Sequence, residues 1–194
     1  QSNSFRWKKY VEVLDKKKYK MICLDAPAHG RSDGVLFNVP IYARLIQQFL
    51  EQNKVDSILS HSLGAFSTMY LLSNYPLLSP PKVIALGTPS YADSFIDEFI
   101  RVLNLSSKAR RNLVTYFTNY SGLKTNDFDS KLFAKNQKSF GLIVHDINDK
   151  EAPFEYAKEM AKIWPKSRFL GTEGFGHKLR DDSVVQEVIK FIDH

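Results

Sequence analysis

The sequence predicts an α/β fold in which helices flank a mostly parallel sheet. Three observations carry that prediction. Short apolar runs of strand length alternate with segments of helical period. The 194 residues are 43% hydrophobic and 25% charged, the balance of one packed domain. One long stretch, residues 93–136, is helical in character throughout and interrupts the alternation. The same composition excludes a disordered, collagenous or low-complexity chain.

Taken in order, residues 5–14 have a helical period, and residues 19–25, with Met21, Ile22, Cys23 and Leu24, read as a strand. A helix over residues 40–52 follows, with Asn38 placed to start it and Pro40 in its first turn. A strand at residues 55–60, a helix at 65–73 and a strand at 82–87 continue the pattern. The Phe- and Tyr-rich stretch after Thr88 reads as a small inserted helical layer. Alternation resumes with a strand at 141–145, a helix at 153–163, a strand at 167–170 and a helix at 183–192. Val184, Val185, Val188, Ile189 and Ile192 make one apolar face of that last helix. The expected organisation is a core of residues 1–90 and 140–194 around an insert of residues 91–139.

The formal net charge of +6 is concentrated at the start of the chain, where Arg6, Lys8, Lys9, Lys16, Lys17, Lys18 and Lys20 face only Glu12 and Asp15. A charge run confined to one helix and the loop after it is a solvated face, and no groove-reading motif accompanies it, so nucleic acid is not an expected partner. The uncharged stretch 57–81 is long enough to span a membrane, but Ser60, His61, Ser62, Ser73, Asn74 and its prolines give it a polarity that no span would carry. Cys23 is the single cysteine and cannot form an internal disulfide, which suits a cytoplasmic protein; it reads as a buried strand residue.

The chemistry begins at Ile58-Leu59-Ser60-His61-Ser62-Leu63-Gly64-Ala65-Phe66, where a serine stands between a strand and a helix with small residues two positions away on each side. This is close to a nucleophile elbow. A strained turn raises the hydroxyl above the sheet, and the crossing of strand and helix leaves no room for bulk at those flanking positions. With this motif the sequence resembles the α/β-hydrolase superfamily, in its branch of Ser-His-Asp esterases and lipases, over nearly the whole chain. Ser60 stands where the usual first glycine of the elbow would be. Leu24-Asp25-Ala26-Pro27-Ala28-His29-Gly30-Arg31-Ser32-Asp33-Gly34 is similar to the superfamily's loop before the elbow strand, with Ala28 where glycine is commoner. By that resemblance the loop is architectural and His29 a hydrogen-bonded loop residue.

A serine hydroxyl needs an imidazole to take its proton and a carboxylate to orient the ring. The resemblance implies the chain order Ser, acid, His. Gly141-Leu142-Ile143-Val144-His145-Asp146-Ile147-Asn148-Asp149 resembles the segment that supplies the acid, and the match puts Asp149 in that position. Asp146 is expected to hold the turn through backbone amides, and His145 to be a structural strand-end residue. Gly174-Phe175-Gly176-His177 sits where the superfamily carries its base, with glycines that let the loop swing the ring back. The resemblance thus implies Ser62 as nucleophile, Asp149 as acid and His177 as base. His61, inside the elbow beside Ser62, is expected to point away from it and to serve in packing or a local hydrogen bond. The Leu63 backbone amide is the implied oxyanion donor.

The superfamily's second oxyanion donor lies on a loop just ahead of the first helix, and its strand runs between those expected at 19–25 and 55–60. The resemblance therefore implies further residues upstream of Gln1. It also places a cap at the insert, whose Phe95, Phe99, Leu103, Leu105, Leu113, Tyr116, Phe117 and Tyr120 suggest an apolar or aromatic group on a small-molecule ester substrate. Thioester, amide or carbon–carbon hydrolysis by the same residues, and a non-catalytic binding protein on this scaffold, are the alternatives. A serine at position 62 argues against haloalkane dehalogenase and epoxide hydrolase chemistry, which need a carboxylate there. No metal cluster, phosphate-cradling loop or dinucleotide fingerprint is present in the sequence, so no cofactor is expected.

Overall fold

Four parallel strands form one sheet in the order in which they occur along the chain. The computed structural model describes residues 3–14, 18–121 and 123–194; Gln1, Ser2 and Gly122, with Asp15, Lys16 and Lys17 of the basic run, lie outside the described residues.

After a short 3-10 turn at Ser4–Trp7, helix α1 spans Lys8–Val13 and helix α2 Val39–Gln52. Asn38 accepts the Ile41 N–H at 2.8 Å and caps α2, as its short polar side chain and the following proline predict. Strand β1, Ser57–His61, leads into helix α3, Leu63–Asn74, and strand β2, Lys82–Leu86. Helices α4 (Ala92–Val102), α5 (Ser107–Ser121) and α6 (Ser130–Lys135) separate β2 from strand β3, Phe140–Asp146. Helix α7, Phe154–Ile163, strand β4, Ser167–Thr172, and helix α8, Asp182–Asp193, complete the chain.

The two inner strands are apolar runs because helices cover both of their faces. Val83, Ala85 and Ile143 pack on one side against Phe66, Met69 and Leu72 of α3, and against Met160 and Trp164. Ile84, Leu86, Leu142 and Val144, one residue out of phase, pack on the other side against Tyr10 of α1 and Val184, Val185 and Val188 of α8. All seven strand residues are fully buried.

Residues 19–25 do not form the expected strand. They have no ladder partner among the described residues, and a strand exists only through its pairing. Among the described residues β1 pairs with β2 alone, and Cys23 is half-buried rather than a core strand residue. The loop that follows is tied by the Asp25 carboxylate, which accepts the Ser4 N–H at 2.6 Å and the Arg31 N–H at 2.9 Å. Ala28 takes a positive φ of 60°, a conformation that glycine adopts at less cost.

The helical stretch between β2 and β3 is joined internally by Arg110, which bonds Asp97 at 2.6 Å and Asp93 at 3.0 Å across α4 and α5. It is not a separate layer along its whole length, because Phe128, Phe133 and Ala134 are buried in the core against α3. Phe95 meets the Phe66 ring edge-on at 5.5 Å. Phe99, Leu103, Leu105, Tyr116 and Tyr120 remain exposed.

Gly141 marks the tightest fit of strand to helix. A Cβ there would lie 2.6 Å from the ring of Trp164, which is fully buried and donates its indole N–H to the Ser139 carbonyl at 3.0 Å. Gly141→Ala is expected to lower the free energy of unfolding by about 1–3 kcal/mol through overpacking, measured by urea denaturation.

Candidate active site

Strand β1 ends at His61 and α3 begins at Leu63, so the whole reversal falls on Ser62. Its φ of 53° and ψ of −128° are strained for a residue with a side chain, a conformation that costs about 1–3 kcal/mol unless its surroundings hold it. Here the Ser62 N–H donates to the Leu86 carbonyl at 2.9 Å, and the Ser62 carbonyl accepts from the Phe66 N–H at 3.0 Å. Ser60, in place of the usual glycine, turns its hydroxyl to the Ile84 carbonyl at 3.0 Å and so leaves no polar atom unpaired. The expected crowding at the other flank is absent. A Cβ on Gly64 would meet the Tyr42 ring at 3.6 Å, an ordinary contact.

The two other candidate side chains come from the turns after β3 and β4. The Asp149 side chain is buried; its Oδ1 accepts the N–H groups of Glu151 at 2.8 Å and Ala152 at 3.0 Å, while its Oδ2 accepts the Nδ1–H of His177 at 2.8 Å. Burial alone would raise the carboxyl, but these bonds outweigh it and hold Asp149 below the usual carboxylate range. His177 Nε2 lies 2.9 Å from the Ser62 hydroxyl. The ring reaches that point because Gly174 and Gly176, with φ of 86° and 57°, turn the loop through left-handed conformations. The structure thus brings Ser62, His177 and Asp149 into one hydrogen-bonded chain. The Leu63 N–H, in the first turn of α3, has no carbonyl within the helix to bond and lies at the positive end of its dipole.

Asp146 is fully buried and does more than close a turn. Its Oδ1 accepts the Asn148 N–H at 3.0 Å, and its Oδ2 accepts the Thr172 hydroxyl at 2.7 Å and the Phe175 N–H at 3.0 Å. One carboxylate therefore ties the turn that bears Asp149 to the loop that bears His177. Burial opposes its charge, and the bonds from Thr172, Phe175, Asn148 and Gly176 together win, holding it below the ordinary range.

Several neighbours escape a reading by motif. Gly87, just past β2 with φ 54°, lies beneath His177: a Cβ there would come within 3.3 Å of the His177 carbonyl and 3.4 Å of its ring. Glu151 Oε2 is 3.5 Å from His177 Nε2, on a side chain that is 69% exposed. His145 is buried behind Asp149, with Nε2 2.9 Å from the Ala152 carbonyl and 3.3 Å from Asp149 Oδ2. His61 does not point away: its Nε2 meets the His177 carbonyl at 2.7 Å. His29 bonds the Pro27 carbonyl at 2.9 Å and packs on Phe37 within its own loop.

Two surface cavities lie elsewhere, one of about 370 Å³ between α1 and α8 and one of about 350 Å³ lined by Tyr91, Asp93, Asp129 and Tyr156. Neither includes a residue of the hydrogen-bonded chain. Among the described residues no helix is long and apolar enough to cross a membrane, and no group of three His, Cys, Asp or Glu side chains is arranged to hold a metal ion.

Residues 2–140 match the family model described as alpha/beta hydrolase fold, more than half of the chain. The structure is similar to an esterase from Exiguobacterium antarcticum, with a TM-score of 0.78 at 18% identity over 100% of this chain and 88% of that one. It is also similar to a monoacylglycerol lipase from Paleococcus ferrophilus (TM-score 0.75, 16% identity, 98% and 90% covered). A meta-cleavage product hydrolase from Pseudomonas fluorescens superimposes with a TM-score of 0.71 at 13% identity, covering 100% and 86%. At such identities the likeness is one of fold. No curated protein matches the sequence.

Two outcomes follow from this geometry. A carboxylate whose folded pKa is depressed contributes stability that is complete above its unfolded value of about 3.9 and is lost as the pH falls through the folded one. Asp146→Asn is therefore expected to cost about 2 kcal/mol or more near pH 7, with the gap to wild type closing below about pH 4; guanidinium denaturation across that range measures both. Gly64→Ala is expected to be neutral or stabilising by up to about 1 kcal/mol, read from the thermal midpoint, because helix propensity favours alanine and the space is free.

Proposed function

The chain belongs to the α/β-hydrolase fold family, and on that footing we propose that it is a serine hydrolase cleaving a carboxylic ester through a covalent acyl-enzyme. One observation carries the reading: a continuous hydrogen-bonded chain from the Ser62 hydroxyl to the His177 ring to the Asp149 carboxylate, at 2.9 and 2.8 Å.

In this reading Ser62 Oγ attacks the ester carbonyl carbon and its proton passes to His177 Nε2. Asp149 holds the opposite N–H, which fixes the tautomer and stabilises the imidazolium that forms. The Leu63 N–H donates to the oxygen that becomes negative, where a fixed donor is worth about 10²–10³ in rate. Collapse of the tetrahedral species breaks the bond to the alcohol, which leaves with the proton from His177. Water then attacks the acyl-enzyme with the same ring as base, releasing the acid and restoring Ser62.

The helices of residues 91–139 are proposed as a cap. In support, the chain leaves the sheet for them at the carboxyl end of β2, beside Gly87 and the base. Their aromatic content fits a substrate with an apolar group. The Glu151 carboxylate beside Nε2 disfavours substrates that carry an anionic group next to the scissile bond.

A fluorophosphonate probe is expected to label the protein at Ser62, located by peptide mass spectrometry. Ser62→Ala should abolish labelling and lower hydrolysis of p-nitrophenyl acetate by about 10⁴-fold or more. A folded wild-type protein that neither labels nor hydrolyses a panel of esters and thioesters would overturn the proposal.

A further inference from the structure

The loop that carries His177 is gripped from two directions. His61 Nε2 lies 2.7 Å from the His177 carbonyl oxygen, and the Arg6 guanidinium donates through Nη2 to the Lys178 carbonyl at 2.6 Å. Two consecutive carbonyls are thus held by side chains from the end of β1 and from the first turn of the chain, far apart in sequence. The His61 and His177 rings are packed at 4.8 Å between centroids, and a Cβ on Gly87 would come within 3.3 Å of the same His177 carbonyl.

We propose that His61 is a positioning residue for the base: its Nε2–H on the His177 carbonyl, together with Arg6 on the next one, sets where the His177 imidazole stands relative to Ser62. The inference rests on the hydrolase reading above for its catalytic consequence. A carbonyl accepts only from a protonated nitrogen, so the ring holds its hydrogen on Nε2. Burial, with the Arg6 charge close by, pushes His61 down to about 3 against the pull of that bond, which keeps the ring neutral. A neutral neighbour matters here because a second positive charge at this distance would oppose proton transfer to His177.

The test compares His61→Leu, which removes the donor, with His61→Gln, whose amide nitrogen restores one. The leucine variant is expected to slow fluorophosphonate labelling of Ser62 and kcat on p-nitrophenyl acetate about 10- to 100-fold, with KM changed less than about threefold, because a displacement of the base by about 1 Å costs that much. The glutamine variant should recover to within about threefold of wild type. Labelling of His61→Leu at the wild-type rate, or a glutamine variant no faster than leucine, would overturn the proposal. Arg6→Met, away from the elbow, carries the test if leucine prevents folding; it is expected to slow labelling about three- to tenfold, and an unchanged rate counts against the clamp.

Amide hydrogen exchange over residues 174–178 separates this idea from the hydrolase reading. Exchange should accelerate there in the leucine variant and not in glutamine, whether or not the wild type is labelled. Equal exchange in all three would overturn the clamp alone.

Discussion

The arrangement depends on one buried carboxylate. Asp146 accepts bonds from Asn148, Thr172 and Phe175, and so joins the two chain reversals that follow β3 and β4. Parallel strands fix only the positions at which each chain leaves the sheet; the turns beyond are free to splay. A neutral side chain at position 146 could not satisfy three donors at once, and each donor left unpaired in that interior would cost about 1–3 kcal/mol. Asn148 adds a second tie of the same kind by accepting the Gly174 N–H at 2.9 Å.

Against this rigid pair of turns Ser62 is set by strain. Ser62 occupies a backbone region that a side chain disfavours, and the bonds to Leu86 and Phe66 on either side prevent its relaxation. The site is thus assembled from two solutions to one problem. One is a conformation imposed by neighbouring secondary structure. The other is a polar network in a dry interior, whose strength comes from the low dielectric that would penalise it if incomplete.

Much of the fold was legible because its signals are local. Strands β2 and β3 carry continuous apolar runs, α2 carries its own cap, and α8 shows a clean apolar stripe. The segment at residues 19–25 has the same strand-like composition but takes no ladder, since pairing is decided by what lies beside it and not by its residues. The three candidate side chains stood out by motif, each within a few residues of a glycine or a turn. What surrounds them did not. The partners of Asp146 lie 26 and 29 positions away, and the His61 contact spans 116. No pattern in the neighbourhood of His61 or Arg6 announces that either meets the loop after Gly176. Gly64 erred in the opposite direction, since a familiar spacing suggested tightness where Tyr42 leaves ordinary room.

The strand order carries a further implication through Gly87. Ser62 stands at the end of β1 while the His177 ring arrives from beyond β4, so the loop must pass over the ends of β3 and β2 to meet it. With neighbouring strands about 4.8 Å apart, that is a traverse of roughly 15 Å. Gly87 is the low saddle on this route, bare of any side chain under the imidazole. The span of the bridge is therefore set by loop length, and the height of its pier by the absence of a side chain at Gly87. Lengthening the loop or raising the pier would move the imidazole away from the Ser62 hydroxyl long before it disturbed the sheet below.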